Sequence, residues 1–485
     1  MLDKSTRAKY TVVIGLEVHA QLMTRSKIFS SDPNLYGAPP NTNISVLTLG
    51  HPGTMPRLNK KVLEYAIRMG LACDCQISRY TIFDRKNYFY PDLPKGYQIM
   101  QDKYPICVGG GIHIRVPDQP EKRVKLHHIH MEEDAGKSIH PENEPETLVD
   151  LNRAGVPLIE IVTEPDLRSS AEAYALLNEI RKMVRYLEIC DGNMEEGSLR
   201  CDANVSLMLN DARVYGKKVE IKNMNSIRNV QKAIDHEVDR QMLLLEAGEE
   251  IPSETRLYHA DRGTTYSMRT KEELNDYRYF PEPDLCPLEI SEEWLDNIQE
   301  AMPALPYELF HKFVNHYQLP AYDAEVLTES KAMAAYFKAT CQHTTHYKAV
   351  SNWLMGPVRS YLNDSSMTIG SFSLPPDYLA MLVELVAGDK VSFAVAQQKI
   401  FPQMLQKPGK TPLEHAQKMN LLQESNTDSL QPIVKDVIAA HPDKVAAYRK
   451  GKKGLLGMFM GEVMKRSGGK ANPKVASELL KKELG

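Results

Sequence analysis

The chain has 485 residues, 25% charged and 42% hydrophobic, with a net charge of −4, and that length leads to an expectation of about three domains. No run approaches the roughly 20 uninterrupted apolar residues of a membrane-spanning helix, and Met1 to Tyr10 mixes charges of both signs without the apolar stretch of a secretory signal. Seven scattered Cys with no C-x-x-C pair fit a reduced, cytoplasmic protein with free thiols.

In chain order, Tyr10 to His19 is β-branched and apolar with polar groups at its end, so it reads as a buried strand. Asn59 to Cys73 has helical spacing at Val62, Tyr65, Ala66 and Met69, with Asn59 as N-cap. Val149 to Asn152 and Leu158 to Thr163 read as short strands. Ser169-Ser-Ala-Glu172 opens a helix through Leu187 with the spacing of a capping box. Cys201 to Met208 and Lys217 to Lys222 form a strand pair around a turn, and Asn229 to Ala247 a further helix. Gly109-Gly-Gly111 reads as a turn between strands. The proline cluster Pro281 to Pro287 marks a boundary, after which Ser291 to about Pro402 is helical. Met404 to Thr411 reads as a linker. The last segment is helical, loosened by Gly451, Gly454, Gly457 and Gly461. The expected class is α+β: a mixed-sheet domain over 1–290, a helical domain over 291–405 and a tail over 406–485.

Charge is unevenly spread. Ile433 to Gly485 holds twelve Lys and Arg against five Asp and Glu, a net of +7, which leaves −11 for the rest. A basic tail on an acidic body suits a polyanion contact made at one end; the plainer alternative is a solvated helix face.

Standard nucleotide and hydrolase signatures are absent. Gly136-Lys-Ser138 has Met131 where a P-loop needs its first Gly, and no nucleophile elbow or H-E-x-x-H occurs. What remains is four acidic and basic clusters far apart in sequence: Glu17 with His19 on one strand face, His130 to Lys137, Met194 to Asn204, and Glu220 to Asn223. Carboxylates from several strands can converge on one Mg²⁺, which takes hard oxygen ligands. The alternative is that each acid pairs separately with a nearby Arg or Lys. Phe83 to Gln98 interleaves Arg85, Lys86 and Lys95 with Tyr88, Tyr90 and Tyr97, a composition suited to phosphates and a base. In His127-His-Ile-His130, neighbouring imidazoles point to opposite faces, so at most two could share one ion.

These motifs carry a resemblance. Ile14 to His19, Asp84 to Asp92, Glu132 to Lys137, Leu151 to Glu160, Met194 to Asn204 and Asp276 to Asp284 look like the B subunit of the tRNA-dependent amidotransferase GatCAB. Leu319 to Asp323, Ser351 to Gly356 and Gly468 to Pro473 continue the resemblance. It implies a cradle-shaped kinase domain, a helical domain and a helical tail that touches tRNA. It implies ATP- and Mg²⁺-dependent phosphorylation of the side-chain carboxylate of Glu-tRNA(Gln) or Asp-tRNA(Asn), then amidation by ammonia. The ammonia would come from the glutaminase (amidase) A subunit, in a complex completed by a small C subunit. Carried over by residue, Glu17, His19, Glu133, Asp202 and Glu220 would form the Mg²⁺ and catalytic set. Arg85, Lys86, Tyr88, Lys95, Ser198, Arg200 and Lys222 would be nucleotide or phosphate contacts. Some relatives hold zinc with four Cys; here those positions are Ser30, Asp32, Ser45 and Thr48, so no zinc is expected. The competing expectation is a non-catalytic tRNA-binding scaffold of the same complex.

Overall fold

The structure, a computed structural model, describes residues 4–141, 145–212, 214–270, 277–423, 427–467 and 470–485. Asp276, Gly468 and Gly469, which belong to motifs quoted above, lie outside them. The chain divides into two compact units, 1–307 and 308–485. No helix among the described residues is long and apolar enough to cross a membrane.

The first unit is built on one large sheet. Its main strands are β1 (Tyr10–Gln21), β2 (Asp84–Asn87), β3 (Tyr97–Met100), β4 (Lys122–Glu133), β5 (Pro157–Thr163), β6 (Leu199–Leu209), β7 (Val219–Lys222), β8 (Glu254–His259) and β9 (Thr264–Thr270). They lie in the order β9-β8-β7-β6-β1-β5-β4-β3-β2. Pairing is antiparallel except between β7 and β8. Strand alternation gives the sheet two unlike faces. Leu16, Val18 and Ala20 of β1, Ile129 and Met131 of β4, Ile159 and Ile161 of β5, and Cys201, Ala203 and Val205 of β6 are buried in one apolar core. Against that face pack α1 (Lys60–Ala72), α2 (Ser170–Tyr186) and α3 (Ile227–Glu246). The residues between them in sequence are polar: Glu17, His19, Glu160, Asp202 and Asn204 are partly buried and His130 is buried. They make the opposite face polar.

The helix starts follow from their caps. Asn59 accepts from Lys61 N, Ser169 from Glu172 N and Ser226 from Asn229 N. The capping box at Ser169 closes on one side only, because the Glu172 carboxylate turns instead to Arg168 N at 2.8 Å and Lys122 Nζ at 2.6 Å. The Gly109–Gly110 turn has φ of 67° and 89°, and a Cβ on Gly110 would meet the Cys73 carbonyl at 2.5 Å, which reserves that position for glycine. The helix Glu292–Glu300 (α4) places Leu295 and Ile298 in the core of the sheet unit.

In the second unit every described element is helical from Glu308 onward. The expected linker is shorter than its composition suggests. Phe401–Gln406 is a helix with Phe401 and Met404 buried, an i, i+3 apolar pair. The next helix begins at Pro412 behind a complete Thr411–Glu414 capping box, so only Lys407 to Lys410 connects them. Thr427–Ala439, Pro442–Arg449, Leu456–Arg466 and Pro473–Leu484 enclose their own apolar cluster, with Leu430, Val434, Phe459, Val463 and Leu480 at its centre. Gly457 and Gly461 sit inside the third of these helices with no atom within 4 Å of an added Cβ. That helix therefore forms despite them.

The loop after β1 holds an unusual buried cation. Lys27 is fully buried and donates to the Asn43 carbonyl at 2.7 Å. Burial lowers its pKa to about 8, against the opposing pull of Asp32, Glu133 and Asp150. A lysine whose folded pKa lies below its unfolded value costs stability while both states are protonated. Between pH 8 and 10.5 only the unfolded state keeps the proton, so folding gains stability as pH rises. Urea unfolding of wild type and Lys27→Met should therefore show the wild type improving relative to the variant, by up to roughly 3 kcal/mol between pH 7.5 and 10.5. A pH-independent difference would refute the assignment.

Candidate active site

The polar face of the sheet carries a continuous row of ionisable groups because its register places them side by side. Glu17 lies opposite Asp202, Asn204 opposite Glu220, His19 opposite Glu160, and Glu160 opposite His130. Two triads result. Glu17, Asp202 and Glu220 bring their carboxylate oxygens within 4.8 Å of one another, and His19, Glu132 and Glu160 do the same with their ligand atoms.

In the first triad, Asn204 Nδ2 donates to Glu17 Oε1 at 2.9 Å and Thr255 Oγ1 to Glu220 Oε2 at 2.9 Å. The Lys222 ammonium bonds Asp202 Oδ2 and Glu220 Oε1. Burial, then the negative charges of Glu160, Glu220 and Asp202, push the Glu17 carboxyl above the usual carboxylate range. A carboxylate held this way is stabilised by an added cation. In the second triad, His19 Nε2 lies 3.4 Å from Glu160 Oε2 and 3.5 Å from Glu132 Oε1. Burial alone would lower the His19 pKa; the hydrogen bond to Glu160 and the charges of Glu160 and Glu132 win and raise it to about 9. Burial pushes Glu160 upward, but His19 and His130 hold it well below its ordinary range. His130 Nε2 is buried 3.4 Å from Glu160 and 3.7 Å from Glu132 without a hydrogen bond to either. An orphaned donor or acceptor between two carboxylates fits a place shaped for a further ligand.

The donor sets suit divalent cations. Three carboxylates are the hard oxygen donors of Mg²⁺; the His-containing triad matches a borderline cation as well.

The expected five-residue cluster is thus rearranged. Glu17, Asp202 and Glu220 come together, and His19 lies beside them on β1 but faces Glu132 and Glu160. Glu133 points to the other face of β4, where its Oε1 accepts from Ile99 N at 2.9 Å and pairs with Lys95. There it lines a cavity of about 20 Å³ with Phe29, Thr48, Lys95 and Gly155. The reason is strand alternation: Glu132, not Glu133, shares the parity of His130. Glu132 and Glu160 join this cluster without being among the expected site residues, and the i, i+2 spacing from His130 signals the first of them.

The expected nucleotide contacts also divide. Lys86 lies opposite Gln98, which reaches Glu132 Oε2 at 3.1 Å, and its ammonium sits 5.0 Å from the Tyr277 ring and 5.9 Å from Tyr88. Burial pushes the Tyr88 phenol well up. Arg200, opposite His19, donates to Asp134 Oδ2 at 2.8 Å. Lys86, Tyr88, Arg200 and Lys222 therefore flank the polar face. Arg85 is instead held by Glu282 at 2.7 Å and Asp284 at 3.2 Å and stacks 4.2 Å from Tyr97. Lys95 is taken by Glu133, and Ser198 is tied into a turn with Asp191 and the Asn193 carbonyl.

Ser30, Asp32, Ser45 and Thr48 do meet in space. Asp32 Oδ2 accepts from Ser45 Oγ at 2.9 Å and Thr48 Oγ1 at 2.5 Å, and Asp32 N donates to Ser30 Oγ at 3.3 Å. Hydroxyls around one carboxylate close this loop, and none of the four offers the thiolate that structural zinc favours.

Comparison with known proteins agrees with the two-part architecture. Residues 12–296 match the family model described as the GatB/GatE catalytic domain, and residues 335–484 match the GatB domain. The chain is 49% identical to the aspartyl/glutamyl-tRNA(Asn/Gln) amidotransferase B subunit of Halorhodospira halophila, over 98% of this chain and 99% of that one. It is 47% identical to the protein of the same name from Thermosynechococcus vestitus, over 98% and 96% of the two chains.

Proposed function

The chain belongs to the family of aspartyl/glutamyl-tRNA(Asn/Gln) amidotransferase B subunits, and on that premise we propose that its polar sheet face activates the side-chain carboxylate of a mischarged aminoacyl-tRNA. The substrates would be Glu-tRNA(Gln), Asp-tRNA(Asn) or both, in the cytoplasm. The partners would be a small C subunit together with the glutaminase (amidase) A subunit.

The chemistry explains the acidic face. A carboxylate resists attack by ammonia until one oxygen becomes a leaving group. ATP supplies the phosphoryl group, and Mg²⁺ offsets the charge gathered around it. The carboxylate oxygen bonds to phosphorus as the bond to ADP breaks; ammonia then bonds to the carbonyl carbon, phosphate departs, and a proton is lost from nitrogen. In this reading Glu17, Asp202 and Glu220 hold the divalent cation, with His19, Glu132 and Glu160 as the adjoining cation-binding set. Lys86 and Arg200, on the flanks of the same face, balance negative charge on the phosphate and the acyl carboxylate, while Tyr88 and Tyr277 offer rings to a base. Most of the work is alignment and charge neutralisation.

The observation that carries this reading is the pair of triads, one of three carboxylates and one of two carboxylates and a histidine, on one face, placed there by four separate strand pairings. A scaffold that only bound tRNA would gain nothing from acids beside a polyanion. The test is amidation by the reconstituted complex fed with ammonium chloride in place of glutamine, with mischarged tRNA of both kinds. Amide formation that needs ATP and Mg²⁺ and releases one phosphate per amide is expected. Amide formation without ATP hydrolysis would overturn the kinase role.

A further inference from the structure

The first triad is not bare. Of three carboxylates with oxygens within 4.8 Å, two share one ammonium: Lys222 bonds Asp202 Oδ2 and lies 2.9 Å from Glu220 Oε1. Glu220 and Lys222 stand two residues apart on β7, so the acid and the base that neutralises it rise from the same strand face. Their exposures differ. The Lys222 side chain keeps 34% of its surface in solvent, against 19% for Asp202 and 12% for Glu220. The lysine side chain is therefore the more solvent-exposed partner in each of its two ion pairs.

An ammonium and a divalent cation compete for the same lone pairs. Mg²⁺ draws its oxygens to about 2.0–2.1 Å, and a lysine hydrogen-bonded to two of three ligand carboxylates occupies the directions those bonds need. Two cations in contact would also repel strongly in a part-buried site. Resting on the metal reading proposed above, we infer that Lys222 is a resident stand-in cation: it keeps the Glu17–Asp202–Glu220 triad assembled without metal and is expelled toward solvent when a divalent ion enters. Lys222 thereby makes metal entry an exchange of one cation for another and leaves its ammonium free on the polar face only after the metal is seated.

Two readouts on the full-length chain test this without activity. In the first, a lysine-directed acylating reagent is applied with and without saturating Mn²⁺, and the peptides are read by mass spectrometry. Labelling of Lys222 should rise severalfold with Mn²⁺, while exposed Lys217, paired with Glu250 at 2.8 Å, should not change. In the second, Mn²⁺ binding is followed by electron paramagnetic resonance. Lys222→Met should bind about tenfold tighter than wild type, and Lys222→Arg, which keeps the charge, should show no gain. Mn²⁺ binding with unchanged Lys222 labelling, or no tighter binding by Lys222→Met, overturns the exchange and leaves the metal site standing. Absence of Mn²⁺ binding to every form overturns the metal reading itself, and the exchange with it.

Discussion

Glu17→Gln will lower ammonium-driven amidation by on the order of 10²- to 10³-fold while raising the thermal stability of the metal-free chain. The two effects have one cause. Burial of Glu17, and then the charges of Glu160, Glu220 and Asp202 around it, push its carboxyl upward. Removing that charge relieves repulsion when no cation is present. It also removes one of three hard ligands from the place where charge must be neutralised during phosphoryl transfer, and losing one such group typically costs a rate factor of about that size. Asn204 already donates to Glu17 Oε1, so a glutamine keeps a partner and the fold should survive. The variant should need more Mg²⁺ for half-maximal rate, and melting in EDTA should move upward. Glu133→Gln is the contrast: its carboxylate faces Lys95 and Ile99 N on the other side of β4. It should leave the Mg²⁺ requirement unchanged and lower stability instead. A Glu17→Gln complex with the wild-type rate and Mg²⁺ requirement would remove the first triad from the chemistry.

The difference between those two glutamates shows how far the sequence could be read. Period-two alternation within one strand is local, and it correctly paired Glu17 with His19 on a single face. Applied to His130-Met-Glu132-Glu133 it selects Glu132, whereas the resemblance implies Glu133 alone from that cluster. Glu160 lay in a segment legible as a strand, yet its role depends on pairing with β1 about 140 residues earlier. Nothing local encodes that register; it follows from which apolar face each strand buries against α2 and α3. Helix starts were legible where one side chain decides them, as at Asn59 and Ser169. The end of the Phe401–Gln406 helix was not, because Lys407-Pro-Gly-Lys410 reads as loop while Met404 is fixed by burial. Composition and the resemblance together put Arg85 among the phosphate contacts. Its capture by Glu282 and Asp284 depends on a strand contact with Phe280–Pro281 nearly 200 residues away.

Removal of residues 427–485 should raise the KM for tRNA strongly and leave the rate at saturating tRNA nearly unchanged. The segment has its own apolar cluster, so its loss exposes no catalytic strand. Lys444, Arg449, Lys450, Lys452, Lys453, Lys465, Arg466, Lys474, Lys481 and Lys482 are all exposed, on a segment whose Ile433 to Gly485 portion carries a net of +7. Such a surface binds a polyanion by displacing counterions, and each phosphate neutralised adds about −0.7 to −0.9 to the slope of log K against log salt. If half of these side chains reach phosphates, the intact complex loses a slope of roughly four on truncation, and affinity near 0.1 M salt falls by about 10²-fold or more. Fluorescence anisotropy of labelled tRNA at several salt concentrations measures both quantities. Equal slopes for the truncated and intact complexes would assign the basic residues to an ordinary solvated helix face and move tRNA recognition elsewhere.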